Sequence, residues 1–226
     1  ALEILRRLRV SGGRGRTLEF AGDGLKNLMV TERSTIANVS IETGAITAVF
    51  PSDEMTENFL RREGREKDYQ PLAADADAEY EAEITIDLSS LEPLAAAPHS
   101  PDNVHPVKEL AGVKLYQVAI GSCTNGSYVD LMTVAGILRG KKIPDHVSLI
   151  IAPGSRQVFQ ELANRGALAD MIAAGARIME VACGFCNGVG QAPRTDGVSL
   201  RTSNRNFPGR SGTASAQVYL GSPETC

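Results

Sequence analysis

The chain has 226 residues, 42% of them hydrophobic and 22% charged, with a formal net charge of −4. This length accommodates two compact units of about 100 to 130 residues, each able to bury a core, and the acidic balance excludes a chain-wide basic footprint for nucleic acid. No apolar run approaches the roughly 18 to 20 residues that cross a bilayer, and four cysteines are too few for a disulfide scaffold, so the expectation is a cytoplasmic protein whose thiols serve metal or redox chemistry.

The opening, ALEILRRLRV, predicts a short amphipathic helix with Leu2, Ile4, Leu5 and Leu8 on one face rather than a signal peptide. It begins without Met and with the helix under way, as a segment of something longer would. SGGRGR breaks the helix before a strand at 17–20, and Thr31 reads as the N-cap of a helix over 32–43. Asn38 and Glu42, four apart on that helix, can present polar groups to one spot. Gly44 closes it, 45–50 can form a strand, and Ser52 or Asp53 caps a further helix to about Arg62. The acidic stretch 64–82 reads as a solvated connector, and 83–88 alternates like a half-buried strand. PLAAAPHSPDNVHP, with four prolines between Pro93 and Pro106, is the expected domain boundary, because prolines deny a ladder its donors and stiffen a linker.

The second half repeats one pattern, an apolar strand ending in a small polar loop: 115–120 before GSCTNG, 147–152 before PGS, 177–182 before CGFCNG, 198–202 before SNRNFPGR and 217–220 before GSPE. Helices over 128–138 and 155–163 lie between some of them. Continuous apolar strands alternating with helices predict an α/β fold, a mostly parallel sheet covered on both faces, whose sites lie outside the carboxyl ends of its strands. That topology brings Cys123 to the same edge as Cys183 and Cys186 despite their separation in sequence.

Three thiolates can hold three irons of a [4Fe-4S] cluster and leave the fourth open, as Lewis-acid catalysis requires. A zinc site completed by Cys226 or a histidine and a thioredoxin-like C-x-x-C pair are the alternatives, the second weakened because Gly188 and Gly190 offer no helix start to depress a thiol pKa. Cys226, at the end of the chain, is left out of the cluster. Arg205 and Arg210 share one loop and suit a polycarboxylate, since guanidinium forks bind carboxylates bidentately; His99, His105 and His146 fall in loop surroundings and read as structural or exposed.

In this order and spacing, IGSCTNGSYVDL, APGS, ACGFCNGVG and TSNRNFPGR closely resemble the aconitase family of iron–sulfur hydro-lyases, which includes homoaconitase and the large subunit of isopropylmalate isomerase. The likeness runs back through TIANVSIETGAITAVFP and covers nearly the whole chain. It implies two α/β domains, a first over 1–98 with its acidic connector and a cluster-bearing one over 99–226. It implies that Cys123, Cys183 and Cys186 hold a [4Fe-4S] cluster, that Glu42 moves protons beside it, that Asn38 and Asn204 hydrogen-bond around cluster or substrate, and that Arg205 and Arg210 grip substrate carboxylates.

Family members also carry an N-terminal portion with site-lining His and Asp residues, and a C-terminal swivel domain or small subunit that supplies a serine base. Neither matches anything in this sequence, so the isolated chain is expected to be inactive and poor at retaining its cluster. The expected activity is that of an aconitate hydratase, interconverting citrate and isocitrate through cis-aconitate with a tricarboxylic acid as substrate. Homoaconitase and isopropylmalate isomerase are the alternatives within the family: the Ser-Tyr after Cys-Thr-Asn-Gly resembles aconitases, whereas TSNRNFPGR is shared with the isopropylmalate branch. A cluster-free RNA-binding protein and a zinc-stapled domain are the competing classes; neither a membrane nor nucleic acid is the expected partner.

Overall fold

Nine strands fall into two sheets in the computed structural model, which describes residues 1–226. The first unit runs α1 (Leu2–Leu8), β1 (Thr17–Glu19), α2 (Val30–Ser40), β2 (Thr47–Val49) and α3 (Glu54–Arg62). The second runs β3 (Leu94–Ala96), β4 (Val104–Pro106), β5 (Gln117–Gly121), α4 (Ser122–Asn125), α5 (Tyr128–Leu138), β6 (Ser148–Ala152), α6 (Arg156–Asn164), α7 (Ala167–Ala174), β7 (Arg177–Ile178), β8 (Val198–Arg201) and β9 (Gln217–Leu220). β1 and β2 form a two-stranded parallel sheet; the others form one sheet in the order β4-β3-β9-β8-β5-β6-β7, antiparallel at the β4-β3-β9 end and parallel elsewhere. The chain is thus α/β with mostly parallel strands flanked by helices.

The central strands are mostly apolar because both of their faces are covered, Gln117, Ser199 and Arg201 being buried exceptions. Val118, Ile120, Leu149 and Ile151 point to one side and pack against Leu131 and Val134 of α5, Leu162 of α6 and Met171 of α7. Ala119, Ile150 and Ala152 point to the other, where Met179, Phe185 and Cys186 cover them. A loop rather than a helix closes this second face, and it carries cysteines. Serine or aspartate starts three of the helices: Ser127 and Asp130 form a capping box on α5, Ser155 accepts from the Val158 amide on α6, and Asp53 accepts from that of Thr56 on α3.

Several expectations change. α2 begins at Val30 with Met29, not Thr31, as its N-cap, and Glu32 accepts a hydrogen bond from the Met29 amide at 2.7 Å. Glu42 follows on a 3₁₀ turn, Ile41–Thr43, closed by Gly44 at φ 84°. No strand forms at 83–88, where Ile84 and Leu88 stay exposed and Ile86 is only half-buried. The proline-rich stretch is built into the main sheet as the β3–β4 hairpin, with Pro106 on the outermost strand, where a missing N–H costs no ladder bond; the position 98/99 falls in the loop of this hairpin. Asp102, buried in that loop, accepts from the Val10 amide at 3.2 Å and pairs with Arg9 at 3.1 Å, which ties the end of α1 to the sheet. The acidic connector at 64–82 is exposed apart from Tyr69, as its composition requires.

The first unit has a polar centre. Arg33 is almost fully buried, makes two hydrogen bonds to Asp53 at 2.9 and 2.8 Å, and donates to the carbonyls of Leu25 and Leu28. The start of α3 is thereby fastened to α2.

Candidate functional site

The carboxyl ends of β5, β7 and β8 open onto one rim, and the residues singled out in the sequence meet there. At the end of β5 the chain turns through Gly121 (φ 115°) and Ser122 (φ 68°) into α4, which carries Cys123. Only glycine fits at 121, since a Cβ there would lie 1.9 Å from the carbonyl oxygen of Ala152. The hydroxyl of Thr202, just past β8, accepts from the Gly121 amide at 2.8 Å and donates to its carbonyl at 3.2 Å. Asn125 donates to the Thr202 carbonyl at 2.9 Å, and the Gly154 amide donates to the Gly126 carbonyl at 2.9 Å, so the three loops brace one another.

The C-x-x-C pair lies in the loop after β7. The expected strand over 177–182 shortens to Arg177–Ile178 because the chain then leaves the sheet to cross its second face, where Phe185 and Cys186 enter the core. Cys186 is buried; Cys123 and Cys183 are exposed; all are free thiols. The Cys183 thiol is pushed up to about 11, by desolvation first and then by the neighbouring Cys186 and Cys123 side chains. All three sulfurs therefore gather at the rim.

Around them runs a hydrogen-bonded chain from the first unit. Asn38 Nδ2 approaches Cys123 Sγ at 3.9 Å. Asn204 Nδ2 donates both to Asn38 Oδ1 at 3.1 Å and to Glu42 Oε1 at 2.8 Å, and Arg205 Nε donates to the same Glu42 oxygen at 2.8 Å. The Glu42 side chain is 7% exposed and that of Arg205 41%, so a sheltered carboxylate faces a half-open guanidinium whose terminal nitrogens have no partner in the chain. Arg210 leads into Ser211, whose carbonyl a Cβ on Gly188 would approach to 2.4 Å, so its loop abuts the Cys186 turn. The Nε of Arg210 is buried without a partner, an arrangement that calls for an anion, since an orphaned donor costs about 1–3 kcal/mol.

Three thiols, a sheltered carboxylate, two carboxamides and two arginines can hold an inorganic group through sulfur beside a carboxylate-bearing ligand. No group of three or more His, Cys, Asp or Glu closes around a single metal-ion position. Cys226, the fourth ligand of the zinc alternative, packs on the opposite face of the sheet, where burial pushes its thiol well up. His99 and His105 sit beside Gln217 and Asn103, away from the thiols.

Sequence reading overlooked the supports of this rim. Asn206, 1% exposed, donates to the carbonyls of Ala97 and Val218 at 2.9 and 3.0 Å and fixes the SNRNFPGR loop across β3 and β9. Arg201 and Gln117 were likewise missed, although a charged residue and an amide within otherwise apolar parallel strands were a visible signal.

Residues 1–114 and 107–226 match the Aconitase family (aconitate hydratase), and the chain belongs to this family of hydro-lyases. It is 43% identical over 225 residues to 3-isopropylmalate dehydratase large subunit 2 of Archaeoglobus fulgidus, covering 99% of this chain and 54% of that protein. Similar matches are large subunit 1 of Thermotoga maritima, 43% identical with 99% and 54% covered, and the large subunit of Moorella thermoacetica, 42% identical with 98% and 53% covered. The chain thus spans about half the length of the curated relatives it matches. These relatives overturn the expected assignment to an aconitate hydratase acting on citrate: they bear the name of the isopropylmalate branch. No helix is long and apolar enough to cross a membrane.

Proposed function

We propose that the chain is the cluster-holding part of a 3-isopropylmalate dehydratase large subunit, working on a branched hydroxy-dicarboxylate in a reducing, cytoplasmic setting with a small subunit as partner. Cys123, Cys183 and Cys186 would hold a [4Fe-4S] cluster, which when bound supplies a Lewis acid at the iron no cysteine occupies. Arg205 and Arg210 would each grip a carboxylate of the substrate through their free donors. Glu42 would hold or move the proton of the substrate hydroxyl, and Asn38 and Asn204 would keep its carboxylate and the Cys123 sulfur in register. The division into a first unit, 1–98, and a cluster-bearing unit, 99–226, belongs to the same proposal, with β3 lent by the first to the sheet of the second.

The observation that carries the reading is the unbroken line from Cys123 through Asn38 and Asn204 to Glu42 and Arg205. It joins the thiol rim to an acid–base and anion-binding pair contributed by both units. The test is anaerobic reconstitution with iron and sulfide, quantified for this chain and for Cys183→Ser, followed by turnover with the small subunit on isopropylmalate and on citrate. Iron and sulfide near four each per chain, lost in the variant, and turnover of isopropylmalate over citrate are expected. Zinc near one per chain without sulfide, or a preference for citrate, would overturn it. The chain without its partner is expected to show no turnover above background.

A further inference from the structure

A guanidinium cannot shed its proton to escape a buried setting, so a fully enclosed arginine must be compensated by what surrounds it. Arg201, on β8, has no exposed surface and is the largest fully buried side chain of the chain. Its Nη2 donates to Gln117 Oε1 at 2.6 Å and to the Gln191 carbonyl at 3.1 Å, its Nε donates to Ser199 Oγ at 2.9 Å, and its Nη1 donates to the Phe185 carbonyl. The guanidinium carbon lies 5.8 Å from the centre of the Phe185 ring. All of these partners are neutral. Buried Arg33, by contrast, has Asp53 at 2.8 Å. Burial lowers Arg201 to about 10, and the Cys186 side chain works in the opposite direction. The charge is therefore held by dipoles alone, directly behind the turn that presents Cys186.

We infer that Arg201 is a positioning residue of the cysteine site, clamping the 185–191 turn to the sheet and serving as the counter-charge of the Cys186 thiolate when that sulfur holds the metal group. This rests on the thiolate-bound cluster proposed above. Phe185 and Gln191 bracket the turn, and both give their carbonyls to one planar fork, which fixes the turn's tilt as well as its distance from β8. A cation behind one ligand favours the more negatively charged state of whatever the three sulfurs hold.

Clamp and charge separate in the variant Gln117→Glu, which keeps the acceptor for Arg201 and adds a negative charge beside it, giving up only the long 3.3 Å bond from Gln117 Nε2 to the Ala192 carbonyl. In the full chain, reconstituted anaerobically, the unfolding midpoint of the cluster-free form is expected to stay or rise. The reduced-to-oxidised ratio of the cluster at a fixed potential, read by electron paramagnetic resonance, is expected to fall about tenfold, or about 59 mV for a one-electron couple. Arg201→Met should shift the ratio the same way and lose iron several-fold faster, with Arg201→Lys restoring the ratio. An unmoved ratio in Gln117→Glu, or Lys and Met variants that behave alike, overturns the inference while leaving the cluster reading intact. Iron uptake by the wild type no greater than by Cys186→Ser overturns both.

Discussion

Thr202→Val tests how the Cys123 turn is held. β8 ends at Arg201 while its neighbour β5 runs on to Gly121, so the ladder between them ends early, and the Thr202 hydroxyl takes the place of the missing backbone partner. Valine has the same shape without the hydroxyl. It would leave the Gly121 amide orphaned in a fully enclosed place, at about 1–3 kcal/mol, and the carbonyl short of one donor at somewhat less. A total of about 2–3 kcal/mol follows, which moves a urea midpoint by roughly 1 M at the denaturant slopes of small domains. Thr202→Ser keeps the hydroxyl and loses one methyl, about 1 kcal/mol. Urea unfolding followed by circular dichroism compares the two, and iron retention after reconstitution reports on Cys123 itself. If the valine variant unfolds within about 0.5 kcal/mol of the wild type, or no earlier than the serine variant, the hydroxyl does not hold the turn and the argument fails.

Asp53→Ala removes both the partner of buried Arg33 and the cap of α3; a loss of about 3 kcal/mol is expected by chemical denaturation, the low end for such pairs because Asp53 is one-third exposed. Glu3, held down to about 2 by Arg6 and Arg7 against an ordinary 4.5, contributes stability that is present above pH 4.5 and lost as the pH falls towards 2. Acid titration of unfolding should therefore show wild type losing about 1 kcal/mol more than Glu3→Gln across that window, a figure kept small because Arg6 and Arg7 are half-exposed. Asn204→Asp sets a second carboxylate against Glu42, and repulsion between the two disfavours the charged form. The acid limb of the pH–rate profile of the assembled enzyme should move to higher pH; an unmoved limb would separate Glu42 from proton transfer.

What the sequence disclosed was set by local chemistry. α5 was legible to the residue because Ser127 and Asp130 declare its start, and β6, β8 and β9 because their apolar runs end in glycine or polar loops. The convergence of Cys123 with the C-x-x-C pair followed from parallel topology alone. The proline-rich stretch, read as a linker, forms a hairpin because prolines are costly only where an inward N–H is needed, and β4 is an edge that only the assembled sheet reveals. The false strand at 83–88 had the right period, but its apolar residues Ile84 and Leu88 remain exposed. The roles of Thr202 and Asn206 were out of reach, since a hydroxyl bridging two strand ends and an amide tying a loop to two strands are properties of the packing. The aconitate-hydratase expectation rested on the Ser-Tyr after Cys-Thr-Asn-Gly and on the connected run into the acidic connector, neither of which belongs to the candidate site, while the TSNRNFPGR loop pointed the other way.

Cys186 is at once a ligand candidate and a member of the buried cluster with Phe185, Ile150 and Ala119, so the three sulfurs are unequal toward an alkylating reagent. Cys123 should be modified first, Cys183 later because its proton is held to higher pH, and Cys186 only as fast as the underside of the sheet breathes open. Peptide mapping of a timed iodoacetamide reaction would read that order directly. The rate of the last event measures how tightly the protein's own interior guards that sulfur from oxidants and electrophiles.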